Sequence, residues 1–97
     1  MNYTIKEDKN KIIIKIEEEL LNNENSEALR FLLSESINDG IKNIELDLSN
    51  VKATNSSGIA KILFFQKKIS EKGGSLKIID MHPELKKLFH LIGLDNI

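Results

Sequence analysis

The sequence predicts an α/β fold, with a four- to five-stranded mixed sheet and helices packed mainly on one face. Two segments alternate apolar and polar residues with the period of a half-buried strand. The apolar positions of these strands are Ile12, Ile14, Ile16, Ile44, Leu46 and Leu48. Strands covered on both faces would be continuously apolar, so the polar residues between these positions predict one face open to water.

Two further strands complete the predicted sheet. Residues 3–6 precede the first alternating strand and can form a hairpin with it through a turn in EDKNK. Residues 76–80 follow Gly73 and Gly74 and supply another central strand. Strands that alternate with helices are joined by right-handed crossovers, which place the helices on one side of the sheet.

Apolar residues at helical spacing predict helices near residues 26–39, 57–72 and 83–92. Asn25 or Ser26 can cap the first helix, and Pro83 suits the first position of the third. Gly40 and Gly93 lie where a left-handed residue ends a helix. The residues expected to face the core are Leu29, Phe31, Leu32, Leu33, Ile37, Ile59, Ile62, Leu63, Ile69, Leu85, Leu88, Phe89 and Ile92.

Length and composition limit the classes of function. A chain of 97 residues fits one domain, 1–97, and it contains no cysteine for disulfides or thiolate metal sites. Fourteen basic and fifteen acidic residues give a net charge of −1, which offers no electrostatic basis for binding nucleic acid or an anionic membrane. No apolar run reaches the length of a membrane span, and the first residues lack the apolar core of a signal peptide. We expect a cytoplasmic protein with a protein partner.

The segment 47–59, DLSNVKATNSSGI, runs from the second alternating strand into a helix that opens on Ser56 and Ser57. The first turn of a helix has unpaired N–H groups and a partial positive charge, so a phosphate on a serine there would be stabilised. Gly58 has no Cβ and can let another chain approach the turn. Serine and asparagine are also good N-cap residues, so a purely structural role for Asn55 and the two serines is the alternative.

The hypotheses of an enzyme or a metal-binding protein have little support in the sequence. A nucleophilic serine needs a base within hydrogen-bond reach, whereas Asn55 is not basic and His82 and His90 lie at the start and near the end of the last predicted helix. Position 54 is Thr54, so the G-x-S-x-G motif of hydrolases is absent. We therefore expect no catalytic residue, no cofactor and no metal site.

Phe64 is an apolar residue that lies outside the apolar stripe of the second predicted helix. At about 100° per residue it lies opposite the apolar stripe, between Lys61 and Lys68. It is either a lone exposed or neighbour-covered aromatic residue, or the anchor of a partner-binding surface with the two lysines as its rim.

The segment 47–59 resembles the STAS family, the anti-sigma-factor antagonist domains of bacteria. Those domains have a D-L-S-x-V strand, a short linker and D-S-S-G-[LI] at a helix start, where this chain has DLSNV, KAT and NSSGI. The segments IIIKIEEELLNNENSEALRFLL, GGSLKIID and PELKKLFHLIGLDNI extend the resemblance over most of the chain. In this alignment Ser56 matches the phosphoacceptor. Asn55 replaces the preceding acid, and Leu21 or Asn22 stands where the family has the aspartate of G-E-L-D.

The resemblance implies a single-domain STAS fold and a noncatalytic binding protein. Its implied partner is an anti-sigma factor with serine kinase activity, which releases a sigma factor when this domain binds. Phosphorylation of Ser56 would end that binding and a serine phosphatase would restore it. The expected partner-binding residues are Asn55, Ser56, Ser57, Gly58, Lys61, Phe64 and Lys68, with Asp47 ordering the strand end. The alternative is a STAS scaffold or regulatory subunit of a signalling or transport assembly that is never phosphorylated.

Overall fold

A mixed sheet with strand order β1-β2-β4-β6 forms the centre of the protein in a computed structural model that describes residues 1–97. The elements are β1 (Tyr3–Asp8), β2 (Lys11–Ile16), β3 (Leu20–Leu21), α1 (Asn23–Asn38), β4 (Asn43–Leu48), β5 (Ala53–Thr54), α2 (Ser56–Glu71), β6 (Ser75–Met81) and α3 (Pro83–Leu91). β1 is antiparallel to β2, and β2, β4 and β6 are parallel to one another. The predicted α/β fold with a mixed sheet is confirmed.

The core lies between one face of the sheet and the helices. The alternating isoleucines and leucines of β2 and β4 are buried, as the period of two predicted, whereas their polar neighbours such as Glu45 and Asp47 are only half-buried. All three helices contribute to the same core cluster. Their buried residues are Leu29, Leu33, Ile62, Phe65, Ile69, Leu85 and Phe89. The helices therefore cover one face and leave the other face open.

The N-terminal hairpin forms with a tighter turn than EDKNK suggested. Tyr3 pairs with Ile16 and Asp8 pairs with Lys11, so only Lys9 and Asn10 form the loop. Lys9 has a φ of 57°, and a positive φ at the first loop position is common to the favoured two-residue hairpin turns. β1 extends to Asp8, two residues beyond the predicted strand.

The start of α1 corrects a prediction. The helix begins at Asn23, and Asn22 is its N-cap because the Asn22 side chain accepts a hydrogen bond from the Asn25 amide at 2.9 Å. Ser26 lies inside the helix, buried, with its hydroxyl donating to the Asn23 carbonyl at 3.1 Å. Asn25 and Ser26 are therefore not the caps. The predicted helix stop at Gly40 is confirmed by its φ of 83°.

The prediction of which helical residues face the core is partly wrong. Phe31, Leu63 and Ile92 are 62%, 39% and 47% exposed, whereas Phe65, which the apolar stripe omitted, is 2% exposed. Phe65 shares the face of Ile62 because it follows that residue by three positions. Leu63 is displaced from that face by about 100°.

The two neighbouring phenylalanines of α2 give a matched test of this arrangement. Phe65→Ala should lower the free energy of unfolding by about 3–5 kcal/mol, since it removes a buried aromatic ring. Phe64 is 59% exposed and touches Phe65 edge-on, with ring centroids 5.2 Å apart. Phe64→Ala should cost less than about 1 kcal/mol. Urea unfolding followed by circular dichroism measures both, and equal losses would place Phe64 in the core.

Candidate functional site

A short parallel ribbon brings the starts of α1 and α2 together. Leu20 pairs with Ala53 and Leu21 pairs with Thr54, which joins β3 and β5. Each of these strands leads directly into a helix, β3 into α1 and β5 into α2. Parallel strands end at the same edge, so the two helix N-termini lie side by side.

Asparagine side chains cap both helix starts and link them. The Asn55 Oδ1 atom accepts a hydrogen bond from the Gly58 amide at 3.0 Å, which makes Asn55 the N-cap of α2. The Asn55 Nδ2 atom donates to the Oδ1 atom of Asn23 at 2.8 Å. A carboxylate at position 55 could cap Gly58 but could not donate to Asn23. Asn23 was not singled out in the sequence, where its only local signal is the run NNEN at the start of α1.

Gly58 lies inside the contact between α2 and the ribbon rather than at the surface. It is buried, and a Cβ at this position would collide with the Thr54 hydroxyl and lie 3.2 Å from the Leu21 carbonyl oxygen. The Thr54 hydroxyl in turn donates to that carbonyl at 2.9 Å. The missing side chain therefore permits a close approach of α2 to the ribbon within the chain.

Ser57 and Lys61 belong to a polar network between α1 and α2. The Lys61 ammonium donates to the Ser57 hydroxyl at 2.8 Å and lies 3.3 Å from a Glu27 carboxylate oxygen. Glu27 also accepts from Arg30 at 2.9 Å. The hydrogen bond from Arg30, and after it that from Lys61, lowers the pKa of Glu27 below its ordinary value. Lys61 is half-buried and bonded within the chain, so it is less available as a rim residue than the sequence suggested.

Ser56 is the free hydroxyl of the pair. It is the first residue of α2, it is exposed, and its side chain has no hydrogen-bond partner within the chain. The Asn55 side chain bonds the Gly58 amide, which leaves the Ser56 and Ser57 amides without partners. The first turn of α2 has no acidic residue. An added anion at Ser56 would meet unpaired N–H groups and no fixed negative charge in that turn.

An open apolar groove between α2 and α3 begins at Ser56. Its lining consists of Thr54, Asn55, Ser56, Ile59, Ala60, Leu63, Leu88 and Ile92. Leu63 and Ile92, two of the residues expected in the core, are instead exposed along this groove. Ser56 therefore lies at the polar end of an apolar surface.

Phe64 lies on the outer side of α2, as predicted. Its ring is 59% exposed, and the Lys68 ammonium is 5.9 Å from the ring centroid, within range of a cation–π contact. Lys68 is the same distance from the Phe65 ring, so it covers the edge where the exposed and the buried aromatic residues meet.

Asp47 orders the end of β4 at some remove from the serine pair. Its carboxylate accepts a hydrogen bond from the Ser49 amide at 2.9 Å, which closes the turn after the strand. Its neighbours Leu46 and Leu48 point into the core, so Asp47 belongs to the open face, opposite the helices.

The two histidines have structural partners. His82 is the N-cap of α3 and accepts a hydrogen bond from the Glu84 amide at 3.1 Å. His90 lies 2.8 Å from a carboxylate oxygen of Asp95. Neither histidine is bonded to Ser56. No helix of the chain combines the length and apolarity needed to cross a membrane.

Comparison with known proteins gives consistent matches. The family model described as the STAS domain matches residues 2–97. The anti-sigma F factor antagonist of Paenibacillus polymyxa is 31% identical over 87 residues, covering 89% of this chain and 74% of that protein. Unphosphorylated SpoIIAA, an anti-sigma factor antagonist, shares the fold with a TM-score of 0.79 at 18% identity, covering 97% of this chain and 83% of SpoIIAA. SpoIIAA of Bacillus in its phosphorylated form gives a TM-score of 0.71 at 20% identity, covering 96% and 85%.

The network around Ser57 predicts a specific pH response. Because its pKa is lowered in the folded protein, Glu27 should keep its contacts above the ordinary glutamate pKa and lose them as pH falls through the lowered value. Arg30→Met should raise this pKa more than Lys61→Met, since Arg30 is the larger cause. NMR titration of the Glu27 carboxyl carbon measures each shift. An unchanged pKa in both variants would show that the contacts do not form in solution.

Proposed function

This chain belongs to the STAS domain family, among relatives that are anti-sigma factor antagonists, and we propose that phosphorylation of Ser56 switches its binding. In the unmodified form it binds an anti-sigma factor that has serine kinase activity, and a sigma factor is released. The same kinase phosphorylates Ser56 and ends the binding. A serine phosphatase restores the unmodified form, and the cycle operates in the cytoplasm.

The difference between Ser56 and Ser57 carries this proposal. A kinase must reach the hydroxyl that it modifies, and Ser56 is exposed and unbonded. The Ser57 hydroxyl is occupied by Lys61, which Glu27 holds in place. Transfer of phosphate to Ser57 would require this network to open first.

A phosphate on Ser56 is compatible with the folded domain. It would carry about −1.5 to −2 charges at a helix N-terminus, where a negative charge typically stabilises by about 0.3–1 kcal/mol. The neutral cap Asn55 adds no repulsion. The switch therefore acts on binding and leaves the fold intact.

The outer stripe of α2 is the proposed partner surface. Its exposed residues are Ser56, Ala60, Leu63, Phe64 and Lys67, which recur at the spacing of one helix side. Phe64 and Leu63 supply apolar contact, and the exposed Lys68 lies at the edge of the stripe. Within a closed contact the phosphate would lose water without gaining a hydrogen-bond donor from the bound protein. This would cost about 2 kcal/mol or more, which is about 30-fold in affinity.

A STAS scaffold that is never phosphorylated is the second candidate. One observation favours it: Asn55, which stands where the family has an acid, donates its amide hydrogen to Asn23 and ties the two helix starts together. In that case the same surface would bind a partner constantly. The two candidates differ in whether Ser56 is modified.

The kinase-type anti-sigma factor encoded nearest to this chain is the reagent that tests the switch. After incubation with it and ATP, mass spectrometry should find one phosphate, on Ser56. Ser57→Ala is the matched control and should still be phosphorylated, whereas Ser56→Ala should not be. Ser56→Ala should lose less than about 1 kcal/mol of stability and still bind, and Ser56→Asp should bind more weakly. An unmodified wild-type chain that nevertheless binds would support the scaffold.

Asn55→Asp restores the acid at position 55. If that acid orients the Ser56 hydroxyl or the kinase, the variant should be phosphorylated faster, and if it only caps α2 the rate should stay unchanged. The variant loses the donor at position 55, so a hydrogen bond to Asn23 requires the Asn23 amide to turn and donate instead. Initial phosphorylation rates at equal protein concentration decide between the two roles. A slower rate would contradict both and would assign Asn55 itself to kinase recognition.

Phe64 should act in binding more than in folding. Phe64→Ala is expected to weaken binding to the anti-sigma factor at least about fivefold, as an aromatic anchor does. Phe31→Ala provides a matched control because Phe31 is similarly exposed, at 62% against 59%, but lies on α1. Calorimetric titration should find less than about a twofold change for the control. Equal effects of the two variants would remove Phe64 from the partner surface.

A further inference from the structure

The strand β1 is an open edge of the sheet. All six of its residues, Tyr3–Asp8, are exposed, and each is paired with β2 in an unbroken register. At the opposite edge the register of β6 shifts, since Ile78 pairs with Leu46 and Asp80 with Asp47. Irregular pairing of this kind protects an edge from further strands, and β1 lacks it.

The backbone of β1 offers alternate groups to the outside. The Glu17 amide donates to the Asn2 carbonyl at 2.8 Å, so Asn2 directs its backbone groups toward β2. In an antiparallel pair such residues alternate, and Thr4, Lys6 and Asp8 therefore also point toward β2. The N–H and C=O groups of Tyr3, Ile5 and Glu7 point away from the sheet and are available to another strand.

The side chains of the same strand leave apolar surface uncovered. Tyr3 and Ile5 pair with Ile16 and Ile14, so they lie on the face of the sheet that carries the helices. Ile14 and Ile16 are fully buried, whereas Tyr3 and Ile5 are 45% and 44% exposed. The apolar layer therefore continues past the part of the sheet that the helices cover.

We propose that β1 pairs antiparallel with β1 of a second copy of this chain, with Ile5 at the twofold axis. A twofold axis perpendicular to the sheet keeps the helices of both copies on one side. It also places odd-numbered residues of one copy opposite odd-numbered residues of the other. The outward N–H and C=O groups of the two strands can bond only in such a register. In this register Ile5 faces Ile5, Tyr3 faces Glu7 and Thr4 faces Lys6 of the second copy.

This register bonds more of the outward backbone groups of β1 than the neighbouring registers do. Pairing centred on Ile5 joins residues 3–7 of both copies, so the outward groups of Tyr3, Ile5 and Glu7 are all bonded. A register centred on Thr4 pairs only strand residues 3–5. One centred on Lys6 pairs residues 4–8, but it leaves Tyr3 opposite the hairpin loop and sets two Lys6 side chains against each other, which is unfavourable. The product is one continuous sheet of eight strands with a shared apolar layer at its centre.

The absence of cysteine makes the register testable by crosslinking. Opposed Ile5 residues would have Cα atoms about 5.5 Å apart, within the span of a disulfide. Ile5→Cys should therefore form a covalent dimer on treatment with diamide. Thr4→Cys is the matched control on the same exposed strand, since its two copies would be offset from each other by two residues along the strands, beyond about 7 Å.

Sedimentation equilibrium of the wild-type chain between about 1 μM and 1 mM should show a monomer–dimer equilibrium. Ile5→Lys should shift it toward monomer by about tenfold because it opposes like charges, while its melting curve stays cooperative. A monomer throughout this range, or crosslinking of Thr4→Cys as efficient as that of Ile5→Cys, would overturn the proposal. The α2 surface takes no part in it, so phosphorylation results leave it unaffected.

Discussion

The packing of the first turn of α2 on the β3–β5 ribbon determines how the candidate site is presented. Gly58 lies against Thr54 and Leu21, where any side chain would push the helix away from the ribbon. An α-helix turns by about 100° per residue, so fixing Gly58 inward directs Ser57 toward α1 and Ser56 outward. One close backbone contact thus assigns different environments to two adjacent serines.

The environments of those serines differ in charge as well as in exposure. Ser57 is bonded to a lysine that is paired with Glu27, whereas Ser56 has open amide groups and an apolar groove beside it. The Arg30–Glu27 ion pair is exposed and the Lys61–Glu27 pair partly so, and such pairs contribute little to stability. Their effect is to leave one hydroxyl free. The amide pair of Asn55 and Asn23 holds the two helix starts in register without adding charge.

The sequence was sufficient for the features that depend on periodicity. Ile12–Ile16 and Ile44–Leu48 alternate, and this pattern identified both the strands and the face that the helices cover. The outward position of Phe64 follows from the same kind of count along a helix.

Features that depend on contacts between residues distant in the chain could not be predicted from the sequence. The strands β3 and β5 have two residues each, too few for a pattern, and Asn23 meets Asn55 only after the ribbon forms. The packing of Gly58 was also out of reach, because a sequence shows that a side chain is missing but not that Thr54 and Leu21 occupy the space beside it. The core-facing sides of the helices were partly mispredicted for a related reason. Apolar residues such as Leu63 and Ile92 line a groove, but hydrophobicity alone assigned them to the core.

We propose that a phosphate on Ser56 changes partner binding without changing the fold. The most direct measurement is calorimetric titration of the unmodified and the Ser56-phosphorylated chain with the kinase-type anti-sigma factor, alongside thermal melting of both forms. We expect an affinity loss of about 30-fold or more, with an unchanged or slightly higher melting temperature. Equal affinities, or a melting temperature that falls together with the affinity, would contradict the account.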